Sequence, residues 1–212
     1  MADAALVHVV DDDEAVRDSL NMLLESAGLS VRTYDSATTF LAALPNLTAG
    51  CVLTDVRMPG LDGIELQRRL KELGVRLPVI VMTGHGDVPV AVEALKAGAA
   101  DFLEKPFDDA QLLAAVSSAL AASQRTRDEA TAVAQIAARI ASLTPREREV
   151  LDRLVAGHPN KTIAYDLGSS PRTVEVHRAR VMEKMGVRSL PELVRMAITA
   201  ERATPPEKTP RR

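Results

Sequence analysis

The chain has 212 residues, room for one medium domain and one small one, and its 46% apolar and 26% charged residues exclude wholesale disorder. Its net charge of −3 is unevenly spread. Residues 1–122 carry 18 acidic against 9 basic side chains and residues 143–212 carry 9 against 14, so only the second part suits a polyanion.

The opening MADAALVHVV lacks a basic segment before its apolar run, and Asp11 cuts that run short of signal or membrane-spanning length, so a cytosolic protein is expected. From residue 6 to about 122, short apolar runs alternate with amphipathic stretches. LVHVV (6–10), LSVRTY (29–34), CVLT (51–54), PVIVMT (78–83) and ADFLE (100–104) read as strands. Helices are expected to begin near Glu14, Ser36, Gly63, Val88 and Asp108, with Gly28, Gly74 and Gly98 as stops. Right-handed crossovers then predict a doubly wound α/β domain with a five-stranded parallel sheet, whose chemistry gathers at the carboxyl ends of the strands. The single cysteine, Cys51, opens an apolar strand and reads as a buried core thiol, and His8 reads as a satisfied, partly buried imidazole.

Residues 123–142 are Ala-rich, of mixed charge and free of Pro and Gly, and predict a helical linker able to extend the fifth helix. From 143 to 202 the pattern is helical only. LTPREREVLDRLVAG starts with Thr144 as N-cap, Pro145 at the first helical position and Glu147 closing a capping box. NKTIAYDL gives a short helix, GSS a turn, and SPRTVEVHRARVMEKM a second helix capped by Ser170. This is a helix-turn-helix. Residues 203–212 read as a disordered tail.

Asp11 and Asp12 follow the first strand, Asp55 the third, Thr83 the fourth and Lys105 the fifth, so all meet at one sheet edge. Clustered carboxylates repel one another unless a cation sits among them, which predicts a hard divalent metal, Mg²⁺. Asp12 and Asp55 are the expected direct ligands, with Asp11 acting directly or through a water and the Arg57 carbonyl completing the site. Asp55 in that setting is a competent phosphoryl acceptor, with Lys105 neutralising and Thr83 bonding the incoming oxygens. His85, in a Gly-flanked loop, reads as part of the pocket rim.

VVDDDEAVRDSL, LTDVRMPGLDG and VMTGHGDVPVAVEALKAGAADFLEKP, with their spacing, resemble the CheY-like receiver domain, and the chain from about residue 6 to 200 resembles the FixJ subfamily of response regulators. The resemblance implies that Asp55 takes phosphate from a sensor histidine kinase, that Asp11 and Asp12 hold the magnesium, and that Thr83 and Lys105 read the phosphoryl group. It further implies a cis Lys105–Pro106 bond and an inward turn of Phe102 on activation. Many receivers carry Tyr at that position; Phe102 has no hydroxyl, so its rotamer change must rest on packing.

On the second helix of the helix-turn-helix, Val174, Val181 and Met185 share an inward face, leaving Glu175, Val176, Arg178, Ala179 and Arg180 to project. Arg172, Arg178, Arg180 and Lys184, with the positive helix N-terminus, suit phosphates. LTPREREVL, NKTIAYDL and SPRTVEVHRARVMEKM resemble the LuxR/NarL-type output domain. That resemblance implies that Glu175, Val176 and Ala179 face base edges while Lys161, Arg172, Thr173, His177, Arg180 and Lys184 meet the DNA backbone. Glu175 is expected to set specificity by accepting from cytosine or buttressing an arginine.

The expected function is a phosphorylation-switched transcription regulator and not an enzyme, with a sensor histidine kinase, promoter DNA, RNA polymerase and a second copy of itself as partners. Val90, Val92, Lys96 and Asp101 are the candidates for the face that dimerises. An aspartyl-phosphate enzyme acting on small molecules is the alternative; against it, Arg57 stands where a second acid would follow Asp55, and no GKS/T phosphate loop is present. An output domain that binds protein instead of DNA is a third possibility.

Overall fold

The computed structural model describes residues 6–47, 49–84 and 88–203. His85 and the tail from residue 204 lie outside the described residues. Two compact units divide at Arg127 and Asp128.

The first unit runs β1 (Leu6–Val10), α1 (Glu14–Ser26), β2 (Ser30–Tyr34), α2 (Ala37–Ala43), a 3-10 turn (Leu44–Asn46), β3 (Gly50–Asp55), α3 (Gly63–Glu72), β4 (Val79–Thr83), α4 (Val88–Ala97), β5 (Asp101–Glu104) and the start of α5 (Asp109–Ala141). The strands form one parallel sheet in the order β2-β1-β3-β4-β5. Strand side chains alternate between faces, and the core follows suit. Val7, Val9, Cys51, Leu53, Ile80 and Met82 pack with Leu20 and Leu24 of α1 and with Leu112 and Val116 of α5. Val10, Val52, Val79 and Val81 pack on the other face with Phe40, Leu66 and Leu70. Helices thus cover both faces, as the near-continuous apolar strands require. Cys51 is fully buried and its thiol is pushed up to about 12 by burial alone, so it is inert packing.

Strand β3 begins at Gly50, one residue before the apolar run. Gly50 has φ of +132°, and a Cβ there would stand 1.8 Å from the Leu6 carbonyl oxygen, so only glycine lets β3 lie beside β1.

His8 is fully buried, not partly. Its ring packs against Tyr34 and Phe40 at centroid distances of 5.9 and 5.6 Å, and Nδ1 lies 3.3 Å from the Tyr34 hydroxyl. Nε2 makes no hydrogen bond of full geometry. Burial, then the charge of Arg32, lowers the imidazole to about 4, an effect the Ala49 backbone opposes only in part.

Residues 123–141 extend the fifth helix, as expected: α5 is one helix of 33 residues from Asp109 to Ala141. Its end belongs to the second unit, where Ile136 and Ile140 pack on the core. That unit adds α6 (Pro145–Val155), α7 (Asn160–Asp166), α8 (Pro171–Met185) and α9 (Leu190–Ala203), the last taking Ala203 from the stretch read as tail. The Thr144–Glu147 capping box forms, and Ser170 caps α8 with Pro171 at its first position. Leu151, Leu154, Ile163, Val174, Val181 and Met185 form the shared core.

Candidate functional site

The carboxyl ends of β1, β3, β4 and β5 bring together Asp11, Asp55, Thr83 and Lys105. Lys105 is the hub: its Nζ donates to Asp55 Oδ1 at 2.5 Å and to Asp11 Oδ2 at 3.1 Å. The other oxygen of Asp55 accepts the Arg57 amide at 2.6 Å, and that of Asp11 accepts the Asp13 amide at 3.0 Å. The Arg17 guanidinium bonds the Asp11 carbonyl at 2.8 Å. Thr83 is buried, with its hydroxyl 3.5 Å from the Gly84 carbonyl, a loose contact that leaves it able to take a better partner. The Lys105–Pro106 bond is cis.

Burial lifts the Asp11 carboxyl above the usual range; the Asp13 amide and Lys105 pull it back only in part, and the Asp55 charge adds to the rise. Burial works against the Lys105 charge, yet the bond to Asp55 and its attraction, then those of Asp11, prevail and hold the ammonium above the usual lysine range.

Asp12, next to Asp11, is exposed where Asp11 is buried, as expected of successive residues leaving a strand, and the bonds of Lys105 go to Asp11 and Asp55. Arg57 meets Asp55 through its amide nitrogen. Phe102 lies on the edge strand β5, 37% exposed, lining a groove of about 670 Å³ with Gln111 and Ser118 of α5.

In the second unit, Val174, Val181 and Met185 point inward from α8. Arg172, Thr173, Glu175, Val176, Ala179 and Arg180 are exposed along its outer side, Lys161 is exposed on α7, and His177 and Arg178 are half-buried. The Nδ1 of His177 is buried without a partner. Thr173 also serves the helix start, its amide donating to Ser170 Oγ at 3.1 Å. The exception is Lys184. Its Nζ turns back to Glu147 Oε2 at 2.6 Å and to the Ser142 carbonyl at 3.2 Å, although the residue is exposed.

Glu147 is the residue that sequence reasoning understood only in part. The capping box was legible, but its buried carboxylate also receives Lys184. That bond first, then the Thr144 amide, draws the carboxyl down to about 2. Arg139 and the 88% exposed Tyr165 carried no sequence signal at all.

The family models match in the same two places: the response regulator receiver domain over residues 7–117 and the bacterial regulatory proteins of the luxR family over 141–197. The transcriptional regulatory protein FixJ of Azorhizobium caulinodans is 58% identical over 210 residues, covering 99% of this chain and all of that one. FixJ of Rhizobium meliloti is 53% identical over 195 residues, 91% of this chain and 94% of that one. Among solved structures, the response regulator StyR superposes with a TM-score of 0.82 at 43% identity, over 92% of this chain and 98% of that one. Full-length FixJ from B. japonicum gives a TM-score of 0.58 at 54% identity, over 94% and 98%. A parallel five-stranded receiver fold, a capped helix-turn-helix and full-length relatives on both sides place this chain among the FixJ-type response regulators, two-component transcription regulators with a receiver and a LuxR-type DNA-binding domain.

Proposed function

We propose that Asp55 is the phosphoacceptor and that its phosphorylation by a sensor histidine kinase activates DNA binding by α8. The observation that carries this is the Lys105 ammonium bridging Asp55 and Asp11 at 2.5 and 3.1 Å. A carboxylate oxygen of Asp55 attacks phosphorus, the P–N bond of the phosphohistidine breaks, and the imidazole leaves with the bond's electrons and takes up a proton. Lys105 faces the incoming phosphoryl oxygens and Thr83 donates its hydroxyl to one of them.

Asp11, Asp12 and Asp55 count three carboxylates against one ammonium, a negative set of hard oxygens that suits Mg²⁺. These residues would hold the ion, with the Arg57 carbonyl. When bound it would neutralise charge on the phosphoryl oxygens. With Arg57 where a second acid would stand, the phosphate is kept long enough to signal and is then lost by slow hydrolysis, as a switch requires.

The output is promoter recognition. Glu175, Val176 and Ala179 read bases, while Lys161, Arg172, Thr173, His177, Arg178 and Arg180 hold the backbone or support those that do. The phosphorylated receiver pairs with a second copy through the face holding Val90, Val92, Lys96 and Asp101, where Val92 and Leu95 are exposed apolar side chains. The DNA-bound dimer recruits RNA polymerase, and all of this takes place in the cytoplasm; among the described residues no helix is long and apolar enough to cross a membrane.

Mass spectrometry after incubation with a phosphorylated histidine kinase tests the assignment. One phosphoryl group per chain is expected, lost in Asp55→Asn. Uptake by Asp55→Asn equal to wild type would refute it.

A further inference from the structure

The last turn of α8 is held from behind at several points. Arg139 Nη1, near the end of α5, donates to the Met185 carbonyl at 2.8 Å. That carbonyl lies at the helix C-terminus, where intrahelical donors run out, because the next residue, Gly186, turns left-handed at φ +66° and sends its own N–H back to Glu183 and Met182. The Arg139 guanidinium thus meets the negative end of the helix, and Lys184 is the basic residue of its last turn. Lys184 adds the Ser142 carbonyl and the buried Glu147 carboxylate, at the junction between α5 and α6. Ile136, Arg139 and Ile140 share one face of α5, and both isoleucines pack on the output-domain core.

We infer that Arg139, Lys184 and Glu147 are positioning residues that set the seat of the recognition helix, and that Lys184 makes no phosphate contact. This rests on the reading of α8 as the DNA-binding helix. Base readout needs side chains placed within hydrogen-bond geometry of base edges, whereas phosphate attraction tolerates a small tilt. Loosening the seat therefore lowers affinity for a selected sequence while sparing affinity for arbitrary DNA.

The test uses full-length protein, a duplex selected from a random-sequence library by the phosphorylated wild type, and an unselected duplex of equal length, titrated by fluorescence anisotropy over a range of salt. Arg139→Gln and Lys184→Met should each weaken binding to the selected duplex about tenfold, the size of a lost charged hydrogen bond. Affinity for the unselected duplex and the slope of log affinity against log salt should hold, and Arg139→Lys should restore selected binding. Lys184→Met leaves Glu147 buried and unpaired, so the double variant Glu147→Gln with Lys184→Met is measured beside it. Gln keeps the capping bond without the charge, and the same pattern is expected. A slope lowered by about one for Lys184→Met, with both duplexes weakened alike, would make Lys184 a phosphate contact and overturn the inference. Unchanged selected binding in all variants would also overturn it. If the wild type selects no sequence, the DNA reading itself falls, and the inference with it.

Discussion

Replacing His8 with leucine should make the receiver's stability less sensitive to acid. The buried imidazole has a folded pKa of about 4 against an ordinary 6.5. A lowered folded pKa means that the stability it contributes is complete above 6.5 and is lost as pH falls toward 4, because the unfolded chain takes up the proton that the folded one refuses. With those two values the loss is about 2 kcal/mol at pH 5 and about 3 kcal/mol at pH 4. Leucine is close in volume to the imidazole, and its overall cost, including the Tyr34 hydroxyl left without His8, does not vary with pH. Hydrogen exchange at the β1 amides, corrected for intrinsic rates, reads opening of the receiver core directly and is not confused by unfolding of the second unit. Between pH 7 and pH 5 the wild type should lose about 2 kcal/mol more protection than His8→Leu. Curves that run parallel within about 0.5 kcal/mol, the ordinary scatter of such differences, would refute the reasoning.

The same chemistry gives further outcomes. Gly50→Ala places a methyl 1.8 Å from the Leu6 carbonyl oxygen and should cost more than about 4 kcal/mol, enough to unfold the receiver by circular dichroism. Gly28→Ala meets no atom within 4 Å and should cost only the left-handed strain, about 1 kcal/mol in a urea melt. Lys105→Ala leaves the Asp11 and Asp55 carboxylates facing each other without their shared cation, and should lower receiver stability in chelator by about 2 kcal/mol, a loss that added Mg²⁺ reduces. Arg180→Ala should weaken selected and unselected duplexes alike and lower the salt slope by about one, the opposite signature to that expected of Lys184→Met.

The sequence determined by itself what depends on neighbours a few residues apart. Apolar runs and their alternation located the five strands, glycines marked helix ends, and Thr144-Pro145 with Glu147 and Ser170-Pro171 announced the starts of α6 and α8, because caps bond the backbone two or three residues on. Strand ends then placed Asp11, Asp55, Thr83 and Lys105 at one edge, since a parallel sheet with crossovers has only one such edge. That Asp11 is buried while its neighbour Asp12 is exposed follows from the folded strand rather than from position alone.

Tertiary structure decided what depends on residues far apart in the chain. Lys184 carries the charge of a phosphate ligand, and nothing near it in sequence reveals that Glu147, 37 residues away, takes that charge. Arg139 reads as a solvated linker residue until α5 brings it to the Met185 carbonyl, 46 residues on. His8 becomes a refused proton only when Tyr34 and Phe40 close over it. Phe102 reads only as part of a strand, and the sheet order puts that strand at the edge, where no further strand covers it. In each case local periodicity fixes which face a side chain shares, whereas its partner is chosen by long-range packing that no short window of sequence contains.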